Sequence, residues 1–498
     1  MHALKKILLL LSFFVAGAAH AQVQIRVHLD SNARQPVGGR LFVYTSSDTT
    51  KAISPTPNPI DPQPMYAQTV RNWKPGEVVV MDAKATAFST PLTALKPGVY
   101  KIAGILDSDS QTRGTLNNGN YFSAAEARLE IHPDHQGSAD LYLAKTFERQ
   151  FSETENLKAV ELKSDLLSAF HKKPVFIQAA IVLPEGYKAD SSHRYPVVYA
   201  IPGWGGTHYD AQNPGRRARY GMTEGTPKIY VYLNPETQTP YGLHAFVDSR
   251  VNGPWGKALV EELLPYIRKN YKATLSAGQT FVIGQSSGGY AALWLPLHYP
   301  QAFGGSWAVS PDPVDFRNFV GVNLYEWRGN FYESAGGIER PFFLLKGKPM
   351  STLRQTVYLE TFEGDGGQFQ SFEAAFGKPD TLGRPRQIFN RKTGMLDPEV
   401  VQDWEPYDLS KYVRANWKKL QPWLGDQKLH VYAGENDNFL LNQSVVGFQQ
   451  QAEAAGADIV VEVLPEADHF SIWSPAFTSR VQREIDAQIE AAEKQAEK

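Results

Sequence analysis

Two serines stand side by side in FVIGQSSGGY, residues 281–290, after a short apolar run and among glycines. A serine hydroxyl so placed can attack an ester or amide carbonyl, provided a sharp strand-to-helix turn lifts it clear of the backbone. Such a turn wants glycine two residues to either side, where a Cβ would collide. Gly284 and Gly288 meet that need for Ser286. Centring the pattern on Ser287 would put Gln285 at one flank, so Ser286 is the expected nucleophile. Phe281-Val-Ile reads as the end of a buried strand, and SGGYAALWLPLHYP as a helix stopped before Pro300.

A serine alone reacts poorly; it needs a base within reach and a carboxylate to orient that base. With a nucleophile on such a turn, the order along the chain is Ser, acid, His. Three histidines follow Ser286: His298, His430 and His469. His298 falls late in the helix after the turn, and His430 inside the strand-like KLHVYAG, so both are expected to be structural. His469, in LPEADHFSIW, follows the last strand candidate on a loop, at the sheet edge where such folds meet their ligands. It is the expected base. For the acid, VYAGENDNFLLN offers Glu435 and Asp437, and position alone leaves both open. Asp468 adjoins His469, but neighbouring side chains diverge, which puts it at the rim. The oxyanion needs backbone N–H donors. Ser287 N–H is one; Trp204 N–H, in the Gly-rich turn of VVYAIPGWGGTHYD, is the expected second.

These residues need a sheet to present them. From about residue 174, VFIQAAIVLP, YPVVYAIP, KIYVYLN, TFVIG, FGGSWAVS, KLHVYAG and DIVVEVLP are strand candidates with helical patterns between several of them, such as WGKALVEELLPYIRKNY (255–271). Several are apolar nearly throughout, as in a mostly parallel sheet covered on both faces. The connection over residues 311–427 far exceeds the ~2–6 residues usual in such units. With its aromatics and patterns such as SKYVRANWKKLQPWL, it is an ordered insertion, expected over or beside the cleft. Residues 22–150 read instead as all-β, with short runs such as VQIRVHL, GRLFVYTS and PGVYKIAGILD suggesting an immunoglobulin-like sandwich. SPTPNPIDPQP (54–64) cannot be regular. Asp107 and Asp109 alternate like calcium ligands, yet Asn118 stands where a bidentate Glu belongs, which favours a solvated turn.

The 498 residues carry 50 basic and 52 acidic side chains, a balance that offers no field for nucleic acid or anionic lipid. There is no cysteine, which excludes disulfides, a thiol nucleophile and thiolate metal sites. Lys5 and Lys6, the apolar ILLLLSFFVAGAA and Ala19–Ala21 form an export signal over residues 1–21. Cleavage there leaves no membrane span and a periplasmic or secreted protein. The domain reading is signal peptide 1–21, β-domain 22–150 and catalytic domain 151–498.

GQSSGG, SPDPVDF, GENDNF and ADHF together resemble the putative-esterase family of α/β-hydrolases, which includes esterase D, S-formylglutathione hydrolases and enterochelin esterase-like proteins. The resemblance covers about residues 170–475 and implies an α/β-hydrolase fold. The family's acid is the Asp of a G-x-x-D-x-F segment, which here is Gly434 to Phe439 and implies Asp437 over Glu435. Its last-loop histidine matches His469. The usual His-Gly before the oxyanion loop is Pro202-Gly203 here, and the insertion exceeds that of compact members. Export and a β-domain in front resemble the enterochelin- and carbohydrate-esterase branches.

The expected reaction is metal-independent and cofactor-free ester hydrolysis through an acyl-enzyme, with Ser286, His469 and Asp437 as the triad. Aromatic residues at the mouth suit sugar esters, aryl acids or siderophores. Trp255, Phe439 and Phe470 are the candidates for substrate contact. Acyl transfer to a sugar would use the same triad. A peptidase of the prolyl-oligopeptidase type would need a propeller that about 150 residues cannot build. A non-catalytic glycan-binding protein would not need Ser, Asp and His in order.

Overall fold

Five runs of chain are buried along their whole length, and a strand covered on both faces belongs inside a sheet. In the computed structural model, which describes residues 23–29, 37–53, 63–109, 111–190 and 192–497, they are the middle of an eight-stranded sheet. In chain order its strands are β1 (Leu157–Lys163), β2 (Phe176–Val182), β3 (Val197–Ile201), β4 (Ile229–Leu233), β5 (Thr280–Gln285), β6 (Gly305–Val309), β7 (Leu429–Gly434) and β8 (Val460–Leu464). Across the sheet they run β1-β2-β4-β3-β5-β6-β7-β8. β1 and β2 are antiparallel to their neighbours, and all pairs from β4 to β8 are parallel. This is the α/β-hydrolase arrangement. The half-exposed β1 was not anticipated; its exposed polar residues mark it as an edge strand.

Strand alternation divides the core in two. Val197, Tyr199 and Ile201 point to one layer with Val282, and Val198 and Ala200 point to the other with Phe281 and Ile283. The first layer takes the helix Ser287–His298, buried on every side from Ser287 to Leu297. The second takes the C-terminal helix Pro475–Ala496 through Phe477, Val481, Ile485 and Ile489. Ser474 caps that helix by accepting from Phe477 N–H, and Pro475 fits its first turn. The parallel register aligns the strand ends: Ile201 pairs with Gly284, Gln285 with Val309, and Gly434 with Leu464. The loops leaving β3, β5, β6, β7 and β8 therefore all open at one edge.

The insertion is ordered. It holds the hairpin Pro341–Leu345 with Lys348–Thr352 and the helices Leu353–Glu363, Gln368–Phe376, Pro398–Trp404 and Leu409–Leu424. Helix 255–271 is broken by a π-helical turn at Leu259–Leu263, before Pro265.

The chain divides into two compact units. Among the described residues, one is built from 23–29, 37–53, Gln63–Leu106 and Tyr121–Lys145; the other takes the 107–120 stretch together with the chain from Thr146 on. The first unit is all-β. Its strands hydrogen-bond in the order Val78–Met81, Val23–Leu29, Gly137–Thr146, Tyr121–Ser123, Gly98–Asp107, Val37–Ser46, Met65–Trp73, Thr86–Phe88, with Ala127–Ile131 on Gly98–Asp107. Asp107–Asn120 behaves differently from the strands it joins, since its side chains are tied within the second unit. Arg113 pairs with Glu236, and Asn118 accepts from Arg149 N–H at 2.6 Å. The signal segment 1–21 and most of the proline-rich stretch lie outside the described residues.

Candidate functional site

Ser286 sits in the turn between β5 and its helix with φ +58° and ψ −123°, a conformation costly for any residue with a Cβ. The surroundings enforce it. Ser286 N–H donates to the carbonyls of Val309 (3.0 Å) and Ser310 (3.1 Å), and its own carbonyl accepts from Asp312 N–H at 2.9 Å. A Cβ on Gly284 would stand 2.1 Å from the Gly288 carbonyl oxygen, and one on Gly288 would stand 2.0 Å from that of Ile201. Only glycine fits at both places, so the turn has one register and Ser286 is at its apex.

His469 follows β8 and Asp437 follows β7. His469 Nδ1 lies 2.9 Å from Asp437 Oδ2, and both side chains are buried. The second carboxylate oxygen of Asp437 accepts from the N–H groups of Phe439 (2.9 Å) and Leu441 (3.3 Å). The imidazole is held from three directions: His469 N–H donates to Asn438 Oδ1, its carbonyl accepts from Gln285 Nε2 at 2.6 Å, and its ring meets the Phe439 ring edge to face. Glu435 is exposed and accepts from Glu466 N–H instead, so it is not brought to the histidine. Asp468 accepts from Phe470 and Ser471 N–H and closes the turn. His298 and His430 are elsewhere. His298 bonds the Trp294 carbonyl with its pKa lowered to about 4 by burial, and His430 stacks on Trp307 inside the sheet.

Ser286 Oγ does not bond His469 here. It donates to Asp312 Oδ1 at 3.2 Å, while Ser287 Oγ donates to Asp312 Oδ2 at 2.5 Å. Asp312 leaves β6 in the SPDPVDF segment and is 3% exposed. Burial raises its pKa to about 6 against the opposing pull of the two hydroxyls and His469. Sequence reasoning missed this carboxylate. Its signal was an aspartate three residues beyond a buried parallel strand next to the strand that precedes Ser286, which delivers it to the same edge.

The loop after β3 lies against Ser286. A Cβ at Gly203 would stand 2.9 Å from Ser286 Cβ and 3.6 Å from its Oγ. Among the described residues no hydrogen bond uses the backbone N–H of Trp204 or Ser287, which leaves both donors available to a developing oxyanion. The Trp204 indole is covered by the Arg113 guanidinium, 3.9 Å from the ring centroid. Arg113 is fixed in turn by Glu236, with Nε 2.8 and 2.9 Å from the carboxylate oxygens.

Ser286, His469, Asp312, Gly203 and Trp204 line a cavity of about 530 Å³, with Arg216 and Arg219 on its wall. Phe439 and Phe470, expected there, line it too. Trp255 does not: it is 2% exposed and stacked on His244 at 3.7 Å between centroids, in the core. A large ring that opens a helix packed on the sheet is drawn inward by burial. The insertion does reach the cavity, through Val320, Phe342, Gln368, Phe369 and Phe372. Its other aromatics do not. Phe331, Tyr332 and Trp404 are 1% exposed within the fold, and Trp327 is 80% exposed outside the cavity. Among the described residues no group of three or more His, Cys, Asp or Glu side chains is arranged to hold a metal ion, and no helix is long and apolar enough to cross a membrane.

The sequence profile of the family described as "Putative esterase" matches residues 175–479. No curated protein matches the chain. Among solved structures, a ferulic acid esterase is similar at 15% identity over 67% of this chain and 98% of its own, with a TM-score of 0.41. The fluorophosphonate-binding serine hydrolase F of Staphylococcus aureus is similar at 13% identity over 67% and 98%, TM-score 0.40. An S-formylglutathione hydrolase from Agrobacterium tumefaciens follows at 16% over 69% and 97%, TM-score 0.36. Likeness at this level says nothing about this chain's substrate.

Proposed function

The chain belongs to the Putative esterase family and is a carboxylic ester hydrolase, and from that premise we propose that it works through a Ser286–His469–Asp437 triad by way of an acyl-enzyme. The observation that carries this is the buried Asp437–His469 pair, 2.9 Å apart, opening on the cavity that Ser286 lines. On substrate binding the Ser286 hydroxyl turns from Asp312 to His469 Nε2. The imidazole takes its proton as Oγ bonds the carbonyl carbon, and Asp437 stabilises the imidazolium. The oxyanion accepts from Trp204 and Ser287 N–H. Collapse breaks the bond to the leaving alcohol, which receives the proton from His469. Water, deprotonated by the same imidazole, then releases the acid and restores Ser286.

Phe342, Phe369, Phe372, Phe439 and Phe470 give the cavity an aromatic lining that favours aryl acyl groups or sugar faces. Acyl transfer to a sugar acceptor is the second reading, favoured by the same lining; it is distinguished by whether an added sugar or water ends up acylated. Export belongs to the proposal on the strength of Lys5, Lys6 and the apolar run after them. For the N-terminal unit an immunoglobulin-like sandwich is supported by a core gathered from strands far apart in the sheet order, such as Val23–Leu29 and Met65–Trp73.

A fluorophosphonate probe with peptide mapping tests the nucleophile. Label should fall on Ser286. Ser286→Ala should abolish turnover of 4-nitrophenyl acetate, and Ser287→Ala should keep a substantial rate because alanine retains the N–H. Label on Ser287 would overturn the assignment.

A further inference from the structure

We propose that the catalytic cavity takes esters carrying an anionic group close to the scissile bond, and that the guanidinium groups of Arg216 and Arg219 bind that group. The proposal rests on the esterase reading above and deepens it to a substrate class.

Both arginines come from the short helix Pro214–Arg219, which follows the oxyanion loop. Spaced by three residues, they share one helix face, and both line the cavity. Arg217, between them, is turned away and donates from Nη1 to the Ala211 carbonyl at 2.5 Å. Arginine keeps its charge at every working pH, so a guanidinium near other charges is normally matched by a carboxylate. Several arginines of this unit follow that pattern, whereas Arg217 is satisfied by a backbone carbonyl. Arg113 is paired with Glu236, Arg149 with Asp210 and Arg317 with Asp315. Among the described residues no carboxylate stands within ion-pair distance of Arg216 or Arg219. Among the described residues the side chain of Arg219 bonds only a neutral acceptor, Gln285 Oε1, at 3.3 Å.

The acids that share the cavity do not supply the missing charge. Asp210 faces Thr207 N–H at 3.2 Å and Arg149 at 3.8 Å. Asp312 is buried under the hydroxyls of Ser286 and Ser287. Two guanidinium groups without a carboxylate partner thus line a cavity whose wall also carries phenylalanines. Arg216 is exposed at the mouth and Arg219 is half-buried. Arg219 bonds the side chain of Gln285, the residue before Ser286, and lines the same cavity as Ser286. An anion on a compact acyl or alcohol part, near the ester, is the one placed to meet it. The phenylalanines then hold the rest of the same molecule.

The test compares two matched pairs of esters on the full-length protein. In one, 4-acetoxybenzoate against its methyl ester, the anion is on the alcohol part. In the other, mono(4-nitrophenyl) terephthalate against its methyl-capped diester, it is on the acyl part. The quantity read is the ratio of kcat/KM for the charged member to that for the neutral one. In the Arg216→Gln, Arg219→Gln double variant this ratio should fall about tenfold or more in at least one pair, as expected for lost charge-assisted hydrogen bonds. The pair that responds identifies the side of the ester that carries the anion. The corresponding double lysine variant should keep more of the ratio than the glutamine variant, and added salt should lower the parent's ratio more than the variant's. A ratio unchanged in both pairs, or equal loss with lysine and glutamine, overturns the anion site while hydrolysis of the neutral members leaves the esterase reading standing. No turnover of any of the four esters, with no fluorophosphonate label on Ser286, overturns both.

Discussion

Replacing Asp312 by asparagine should make the protein more stable at neutral pH. The carboxyl is 3% exposed, and burial moves its pKa from the ordinary 3.8 to about 6. A raised carboxyl pKa means that the folded state binds the proton more tightly than the unfolded state does. Stability on this account is fully present below 3.8 and is lost as pH rises through about 6. Each pH unit of displacement is worth about 1.4 kcal/mol, so above pH 7 the ionised Asp312 costs the fold about 3 kcal/mol. Asparagine keeps the shape, can accept from Ser286 Oγ and can orient its amide to Ser287, and carries no charge to bury. We expect Asp312→Asn to gain about 2–3 kcal/mol at pH 8, with the gain vanishing toward pH 4. Urea unfolding followed by tryptophan fluorescence suits the measurement, because nine of the ten tryptophans lie after residue 200. A variant less stable than the parent at pH 8 refutes the reasoning, for it would mean that the two hydroxyl bonds outweigh burial. A gap that stays constant from pH 8 to pH 4 refutes it as well, since the effect would then not come from ionisation.

Asp437→Asn should lower kcat by about 10⁴, because the amide cannot stabilise the imidazolium, while Glu435→Gln, away from His469, should cost less than threefold. Steady-state kinetics on one activated ester decides between them, and comparable losses would remove the distinction. Phe369→Ala and Phe372→Ala should change the ranking of kcat/KM among bulky aryl esters and leave 4-nitrophenyl acetate nearly unaffected, since a small ester makes few remote contacts. An unchanged ranking in folded variants would make that part of the insertion scaffold alone.

The elbow was legible because steric exclusion leaves a mark in composition: two glycines at fixed spacing have no substitute where a Cβ would meet a carbonyl oxygen at about 2 Å. The sheet was legible for a similar reason, as strands buried on both faces carry mostly apolar residues. Side-chain destination within the insertion was not. Trp404 and Phe369 are both large rings in one long connection, yet one packs the interior and the other faces the cavity, and that depends on helix placement that no local pattern encodes. Asp312 escaped because an aspartate beside prolines reads equally well as a turn, and its meaning depends on which strand lies next to β5. Arg216 and Arg219 were hidden by being ordinary: a basic helix end gains interest only once the absence of a matching acid is visible in space.

The stretch 107–120 bears on how this protein could be divided or recombined. Its ends continue into strands of the β unit, but Arg113 stacks on Trp204 and pairs with Glu236 inside the catalytic unit. The catalytic unit is therefore discontinuous along the gene. A single crossover near residue 150, the natural place to cut by composition, would transplant Ser286, Asp437 and His469 without the cation that covers the Trp204 ring. The β unit could be exchanged for another only if the newcomer supplied an equivalent loop at an equivalent point in its own sheet. The boundary between the units is therefore not a single point in the sequence.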